Sequence, residues 1–432
     1  MKLADRVNRI KPSPTFAAAA KAAAMRAKGI EVIGFAQGEP DFDTPDNIKE
    51  AAYKAIREGI TKYTPASGFP DLKDAIIQKF KRDNGLTYDR SQVFASAGAK
   101  LIIYNLAQAL FQAGDEVIVP SPYWVSYTDI VLLMDATPVV VQTTEASGFK
   151  LTPAQLKAAL TPRTKAIILN SPCNPTGATY TAAELQALVD LLLPAKVLIV
   201  ADDIYEKFVY DGTVFTSIPS LGREVQDQTV VINGVSKTYS MTGWRIGYAA
   251  GPAEIMAAMD KIQTQNVSNP TSFCQKAATE ALSGPQDSVP KMVAEFDRRR
   301  KYIVQRLNAM PGMKCALPKG AFYVFPNVTG LFGKKWGERV ISNSVDLTDF
   351  LLEEAKVAVV AGSAFGNDHY IRFSYATSMA SIEKGMDRIQ EALKKLNELC
   401  KNIRGMDPIQ QHLQRDKLHQ QMIEIVNGGM GF

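Results

Sequence analysis

The sequence predicts an α/β protein in which a mostly parallel sheet lies between helices, with a smaller α+β domain beside it. Three observations carry that prediction. Runs of β-branched and other apolar residues recur without polar alternation, the pattern of strands buried on both faces. Helical stretches separate most of these runs, as strand–helix–strand units require. Near Pro290 the alternation gives way to a long charged helix followed by strands of a different pattern.

Along the chain, residues 15–28 are alanine-rich and stop at Gly29, a helix with a glycine stop. Glu31 to Phe35 reads as a strand that closes at Gly38-Glu39-Pro40-Asp41. From about residue 45 helices and strands alternate. Strands are expected at Gln92 to Ala95, Glu116 to Val119, Pro138 to Val141, Ala166 to Leu169, Val197 to Ala201 and Thr229 to Ile232, with helices such as Leu101 to Gln112 and Ala182 to Leu193 between them. Beyond Pro290, Lys291 to Met310 is a charged helix carrying Arg298-Arg299-Arg300. Gly320 to Phe325 and Tyr370 to Tyr375 are strands, and Ser381 to Leu399 is an amphipathic helix. The expected domains are a large one at 44–298 and a small one at 299–400, which residues 1–43 join. Residues 401–432 contain Pro408 and end in Asn427-Gly428-Gly429-Met430-Gly431-Phe432; an accessory tail with one short helix at most is expected there.

At 432 residues the chain has room for two or three domains of ~150 residues each. A hydrophobic content of 46% with 22% charged residues fits a soluble globular protein. The net charge of +5 is spread over the whole chain, with no Lys/Arg block interleaved with aromatics, so no nucleic-acid partner is expected. Met1-Lys2-Leu3-Ala4-Asp5-Arg6 has no apolar signal core, and stretches such as Lys196 to Ala201 are far below membrane-spanning length. No membrane partner is expected, and the cytoplasm is the expected location. Cys173, Cys274, Cys315 and Cys400 are widely spaced with no CxxC, which fits reduced thiols better than a disulfide frame or a zinc site. The three histidines are His369, His412 and His419, which excludes a histidine triad or a multi-histidine metal site from the main body. No metal is expected, and acid–base work falls to lysine, tyrosine or carboxylates.

The most informative residue is Lys237. It follows the apolar run Val230-Val231-Ile232 and the turn at Gly234, with Arg245 eight positions later in Gly243-Trp244-Arg245-Ile246-Gly247. A lysine at the mouth of a buried strand loses its proton by desolvation and attacks a carbonyl to form a Schiff base. An arginine nearby holds a phosphate by a charge-assisted fork. Together they describe a grip on pyridoxal 5'-phosphate (PLP). A lysine after a strand is, by itself, more often a surface residue, so the reading rests on what accompanies it.

In an open parallel sheet ligands bind beyond the carboxyl ends of the strands. One run ends in Asn170-Ser171-Pro172-Cys173-Asn174-Pro175-Thr176-Gly177, another in Asp202-Asp203-Ile204-Tyr205, and a third near Lys237. The intervals of 28 positions from Asn174 to Asp202 and 35 from Asp202 to Lys237 each match one strand–helix–strand unit. A carboxylate at Asp202 would pair with the pyridine nitrogen, and Asn174 and Tyr205 can donate to the ring's phenolic oxygen; singly, Asp202 is equally a helix cap and Asn174 a turn former. Ser96-Ala97-Gly98-Ala99-Lys100 opens a helix whose N–H groups can meet a phosphate, without a Walker or GxGxxG pattern. Trp124 in Ser121-Pro122-Tyr123-Trp124 can stack on the pyridine face, though a lone tryptophan is more often core. Arg372 lies on a strand opposite the face of Ile371, Phe373 and Tyr375; it can clamp a substrate carboxylate, though taken singly an exposed strand arginine is the simpler reading.

With these motifs the chain resembles the class I aminotransferases of the PLP type I fold, in the subgroup often called Ib aspartate aminotransferases, from about residue 3 to 397. Gly234-Val235-Ser236-Lys237-Thr238-Tyr239-Ser240-Met241-Thr242-Gly243-Trp244-Arg245-Ile246-Gly247 fits the family's PLP-lysine signature. Gly38-Glu39-Pro40-Asp41-Phe42, Lys62-Tyr63 and the Trp124, Asn174 and Asp202 motifs fit as well. The resemblance implies a seven-stranded-type sheet and a homodimer with shared active sites, in which Tyr63 reaches the phosphate of the neighbouring subunit's cofactor. It implies PLP contacts from Gly98, Ala99, Lys100, Trp124, Asn174, Asp202, Tyr205, Ser236, Lys237 and Arg245. It implies an amino-acid and 2-oxoacid site formed by Gly38, Trp124, Asn174 and Arg372, with Lys100 and Thr15 at a distal carboxylate and Lys11 at a position linked to prephenate use. The chain departs from the family pattern at Gln263-Thr264-Gln265-Asn266, which lacks a distal-carboxylate arginine. It departs also at Tyr127, where some relatives have histidine, and at Asp203, where glutamate is frequent.

The implied reaction is a ping-pong transfer of the amino group of L-aspartate to 2-oxoglutarate, with Lys237 as catalytic base and acid. An aromatic or prephenate aminotransferase on the same scaffold is the alternative, and a PLP lyase or decarboxylase a further one. A non-catalytic regulator would need a DNA-binding module, and residues 1–40 contain no helix-turn-helix.

Overall fold

The computed structural model describes residues 1–404. Seven strands form its central sheet: β1 (Val93–Ser96), β2 (Glu116–Ser121), β3 (Thr137–Gln142), β4 (Thr164–Asn170), β5 (Leu198–Asp202), β6 (Thr229–Gly234) and β7 (Gly247–Ala250). Their spatial order is β1-β7-β6-β5-β4-β2-β3. Every pairing from β6 across to β3 is parallel, and β7 runs antiparallel to both β6 and β1.

Successive residues of these strands enter two different cores. Ile118, Ile167, Leu169, Ile199, Ala201 and Val231 pack in one layer. Val117, Val119, Ala166, Ile168, Val200, Val230 and Ile232 pack in the layer on the opposite face. Both faces are dry, which is why the runs show no polar alternation. Each of the valine, leucine and isoleucine side chains contributes ~1.5–3 kcal/mol by leaving water.

β7 was not among the expected strands. Gly247-Tyr248-Ala249-Ala250 has little intrinsic strand preference. It is built by close approach: a Cβ at Gly247 would overlap the backbone of Gly98 and Ala99. Only glycine lets this strand lie against the turn that follows β1.

Beyond the sheet, Ile371–Ser374 is the middle strand of a small antiparallel sheet, between Val360–Ala361 and Tyr323–Val324. The short strand Ile33–Gly34 pairs in parallel with Val357–Ala358. A third core holds Phe35, Phe296, Ile303, Leu307, Phe350, Phe373, Ile382 and Met386 together. The helix Ser288–Asn308 runs unbroken through residue 298. The last helix, Met379–Arg404, passes the tail boundary expected at 400, so residues 401–404 belong to it; the rest of the expected tail lies outside the described residues. Cys173, Cys274 and Cys315 are buried free thiols.

Candidate active site

Register places the site. Asn170 at the end of β4 stands directly beside Asp202 at the end of β5, and Asp202 pairs with Ile232 on β6. Three consecutive parallel strands therefore deliver their carboxyl ends, and the loops after them, to one line of the cleft.

Asp202 is buried and held from two sides. Tyr127 Oη donates to its Oδ2 at 2.6 Å and the Ile204 N–H to its Oδ1 at 3.2 Å. Burial pushes its carboxyl above the usual range, while these two donors and the nearby Lys237 charge pull the other way. Asn170 Nδ2 donates to the Asp202 carbonyl at 2.9 Å, and the Asn170 side-chain oxygen accepts the Asn174 N–H at 2.8 Å. The loop bearing Asn174 is thus tied to the strand bearing Asp202.

Lys237 lies on a single helical turn, Val235–Thr238, at the end of β6. Its Nζ donates to the Gly38 carbonyl at 2.5 Å. Burial pulls the ammonium down to about 8, with Glu39 opposing and the Arg372 and Arg245 charges adding to the fall. Tyr205 Oη and Tyr323 Oη lie 2.7 Å apart. A Cβ at Gly38 would strike the Tyr323 hydroxyl, so the backbone there sits against Tyr323 as only glycine allows.

Arg372 corrects the simpler expectation of an exposed arginine: it is only 2% exposed. Its Nη1 donates to Asn174 Oδ1 at 2.9 Å and its Nη2 to the Ala36 carbonyl at 2.5 Å. The guanidinium lies 4.6 Å from the Tyr323 ring centroid and 4.9 Å from that of Phe365. Its Nε has no partner, and among the described residues no carboxylate pairs with it. A buried, unneutralised guanidinium is costly and calls for an anion.

At the other end of the cleft, Gly98 has φ +93°, and a Cβ there would overlap the Arg245 guanidinium. Arg245 itself has φ +56° and donates to the Thr242 carbonyl at 2.9 Å. The helix Ala99–Leu110 begins at this point, so its free N–H groups and a guanidinium converge. Ser236 is buried one residue before Lys237. Next to them lies a cavity of about 520 Å³ whose lining includes Lys11, Ser13, Lys100, Tyr104, Asp129 and Arg245. Lys100 Nζ stands 4.9 Å from the Trp124 ring centroid.

The structure brings Gly38, Asn174, Lys237 and Arg372 together, and separately Gly98, Ala99, Lys100, Trp124 and Arg245. Thr15 sits in the first turn of the helix Pro14–Ala27, two residues past Ser13 of the cavity lining. Tyr63 joins neither group; its side chain is 91% exposed. Sequence reasoning did not single out Tyr323, whose hydroxyl meets Tyr205 and whose ring faces Arg372, because nothing in the run Gly320 to Phe325 marks it. Asp129 in the cavity wall was missed as well. No group of three His, Cys, Asp or Glu side chains among the described residues is placed to hold a metal ion. None of the described helices is long and apolar enough to cross a membrane.

These residues fit PLP. The buried carboxylate of Asp202 suits a cation such as a pyridinium, burial pulls the Lys237 ammonium down to about 8, and glycine, helix terminus and arginine form a cradle for a dianion. A lysine at the end of a doubly covered parallel strand, with such a cradle beside it and a buried arginine across it, defines an enzyme that runs PLP chemistry on amino acids. The chain belongs to the aminotransferase class I and II family, whose sequence model matches residues 30–389. It is 51% identical over 394 residues to an aspartate aminotransferase of Geobacillus stearothermophilus, covering 91% of this chain and 99% of that one. It is also 51% identical over 390 residues to an aspartate/prephenate aminotransferase of Cereibacter sphaeroides, covering 90% and 98%. The crystal structure of the aspartate aminotransferase from Rhizobium meliloti superposes with a TM-score of 0.89 at 45% identity, covering 92% of this chain and 100% of that one.

Proposed function

We propose that the chain transfers the amino group of L-aspartate to 2-oxoglutarate in a ping-pong cycle. The observation that carries this reading is the buried guanidinium of Arg372, without a counter-ion among the described residues and close enough to the Lys237 amine for its charge to be felt there. Arg372 and Asn174 hold the α-carboxylate of the amino acid, and the Gly38 backbone closes the same end. Lys237 takes the proton from the substrate α-carbon and returns it on the far side of the exchange; an amine titrating at about 8 does both near neutral pH. The cofactor, when bound, supplies the electron sink for the charge left at that carbon. Asp202 would hold the pyridine nitrogen protonated, Asn174 and Tyr205 would donate to the phenolic oxygen, and Trp124 would cover the ring. Gly98, the backbone N–H groups of Ala99 and Lys100 at the helix start, Ser236 and Arg245 would bind the phosphate end, which leaves the Lys100 side chain to the cavity.

Lys100, with Thr15 and Lys11 nearby, receives the distal carboxylate of a dicarboxylic substrate. The cations around the cavity support this, as do the names of the relatives. The same cavity supports a second reading, use of prephenate or an aromatic oxoacid. About 520 Å³ exceeds what the aspartate side chain needs, and Leu101, Val125, Ile130 and Leu133 give it apolar walls.

The active unit is a homodimer in which Tyr63 completes the partner's phosphate site; Tyr53 and Ile56 are exposed on the helix just before it, at 51% and 46%. Residues 44–298 form the large domain, and 299–400 with 1–43 the small one, in line with the separate cores around the sheet and around Phe350, Phe373 and Ile382. The cytoplasm is the proposed location. A panel of donors against acceptors, prephenate included, tests the substrate reading. Aspartate with 2-oxoglutarate should give the highest kcat/KM and form oxaloacetate and glutamate in equal amounts. A panel in which aspartate yields no oxaloacetate rejects it.

A further inference from the structure

Tyr63 belongs to the loop between the helices Asp46–Arg57 and Pro70–Asn84. A loop carrying a side chain this exposed is ordinarily free to move. This one is fastened to the body of the protein on both sides of Tyr63. Ser272 Oγ donates to the Ile60 carbonyl at 2.8 Å. Gln275 Nε2 donates to Thr64 Oγ1 at 3.0 Å and its Oε1 accepts the Phe69 N–H at 2.8 Å. Gln263 Nε2 donates to the Ala66 carbonyl at 2.6 Å, and the Ala95 N–H donates to the Ser67 carbonyl at 3.0 Å.

Gln263 and Gln275 are both 0% exposed. Gln263 uses the whole capacity of a carboxamide: two N–H donors and two acceptor sites. Its Nε2 donates also to the Ala95 carbonyl at 2.9 Å, while its Oε1 accepts from Ser96 Oγ and from Asn105 Nδ2. Ser96 is the last residue of β1, directly before the Ala97-Gly98-Ala99 turn, and Asn105 lies on the helix that this turn opens. One buried side chain therefore joins the subunit's own phosphate cradle to the loop that presents Tyr63. A glutamate at 263 would bring no second donor for the Ala66 and Ala95 carbonyls, and asparagine is one methylene too short to span the same four partners. Gln263 also opens the stretch 263–266 that departs from the family pattern.

We propose that Gln263 and Gln275 are positioning residues for the cofactor phosphate, acting through Tyr63 on the partner subunit's site. The inference rests on the reading of Tyr63 as a phosphate contact between subunits. It has a signature that a merely structural role lacks, because only the phosphate end of the cofactor should feel it. The experiment is an absorbance titration of the apo dimer with PLP and, in parallel, with pyridoxal, which has no phosphate. It compares the unaltered protein with Gln263→Glu, Tyr63→Phe and the double variant. Gln263→Glu should weaken PLP roughly tenfold or more and pyridoxal by less than about twofold, since a buried hydrogen-bonded network loses donors it cannot replace. The double variant should lose no more than about twofold beyond Tyr63→Phe alone, because both changes remove one interaction. Equal losses for PLP and pyridoxal, or fully additive losses, overturn the inference. A loss in Tyr63→Phe with none in Gln263→Glu also overturns it and leaves the Tyr63 reading standing; no loss in Tyr63→Phe overturns both. If Gln263→Glu gives no folded dimer, Gln275→Met carries the same test, as it frees only the Thr64 and Phe69 ends of the loop and the Pro270 carbonyl.

Discussion

At the carboxyl ends of β4, β5 and β6 the functional groups are wired into the scaffold. Asp202 takes Tyr127 and Ile204, Asn174 takes Asn170 and Arg372, and Lys237 takes Gly38. In the neighbouring cavity the cations stand loose. Lys100 lies over the Phe16 and Trp124 rings, and neither Lys100 nor Lys11 has an ion pair among the described residues. Fixed groups suit a step common to every substrate, where misplacement by an ångström is costly. Unpaired cations suit a group that differs between substrates, because a long side chain can follow it. On the proposed function, chemistry belongs to the strand ends and selectivity to the cavity, and substitutions in the two regions should separate along that line.

The largest effect belongs to the strand ends. On the proposed function Lys237→Ala removes both the covalent anchor and the acid–base group, so kcat should fall by more than ~10⁴-fold with every donor. Steady-state turnover with aspartate and with alanine checks it, and measurable activity with either breaks the assignment. Next is Arg372→Leu. It deletes a buried cation that two fixed acceptors aim, and kcat/KM should drop ~10²–10⁴-fold for all amino acids alike. A drop confined to dicarboxylic donors would place Arg372 with the cavity and dissolve the contrast.

Lys100→Ala should act on one class of substrate. Loss of a charge-assisted contact costs ~10–100-fold in kcat/KM for aspartate and little for alanine, which has no distal group. Equal losses would mean that Lys100 serves the common machinery. The pH dependence of cofactor capture sharpens the comparison from the other side. Lys237 is pulled down to about 8 by burial, and only the neutral amine attacks a carbonyl. The neutral fraction climbs from ~10% at pH 7 to ~90% at pH 9, so the rate of PLP capture by the apo protein should rise roughly ninefold across that interval and then level. A rate still climbing toward pH 10.5 would show an ordinary solvated lysine.

Where sequence reading succeeded and where it failed follows the same division. Asn174, Asp202 and Lys237 were legible because each ends an apolar run and carries its own local signature. Lys100 and Arg245 sit in short Gly-containing turns with similar signatures. The burial of Arg372 was not legible: its partner Asn174 is 198 positions away, and its aromatic neighbours Tyr323 and Phe365 belong to separate elements. β7 was hidden because it depends on the absence of a side chain at Gly247 rather than on strand-forming residues. In the sequence Gln263 shows only as a place where an arginine is missing, since its four partners lie between positions 66 and 105.

Tyr127→Phe is the smallest change that still tests the wiring. The ring stays in its core beside Ile130 and Val131, so packing is preserved and one hydroxyl is lost. That hydroxyl donates to Asp202 and is the strongest of the contacts that hold its carboxyl down against burial. Without it the carboxyl rises further, and in the proposed role a protonated Asp202 would no longer hold a protonated pyridine. The direction is fixed: a carboxyl that rises loses its charge sooner as pH falls, so the acid limb of the kcat profile should move to higher pH. At pH 8 the loss should be a few-fold, as expected for one hydrogen bond to a charged group, and it should widen on acidification. An acid limb that does not move would mean that Asp202 is held by its backbone contacts alone and that the strand ends are less tightly wired than Tyr127 suggests.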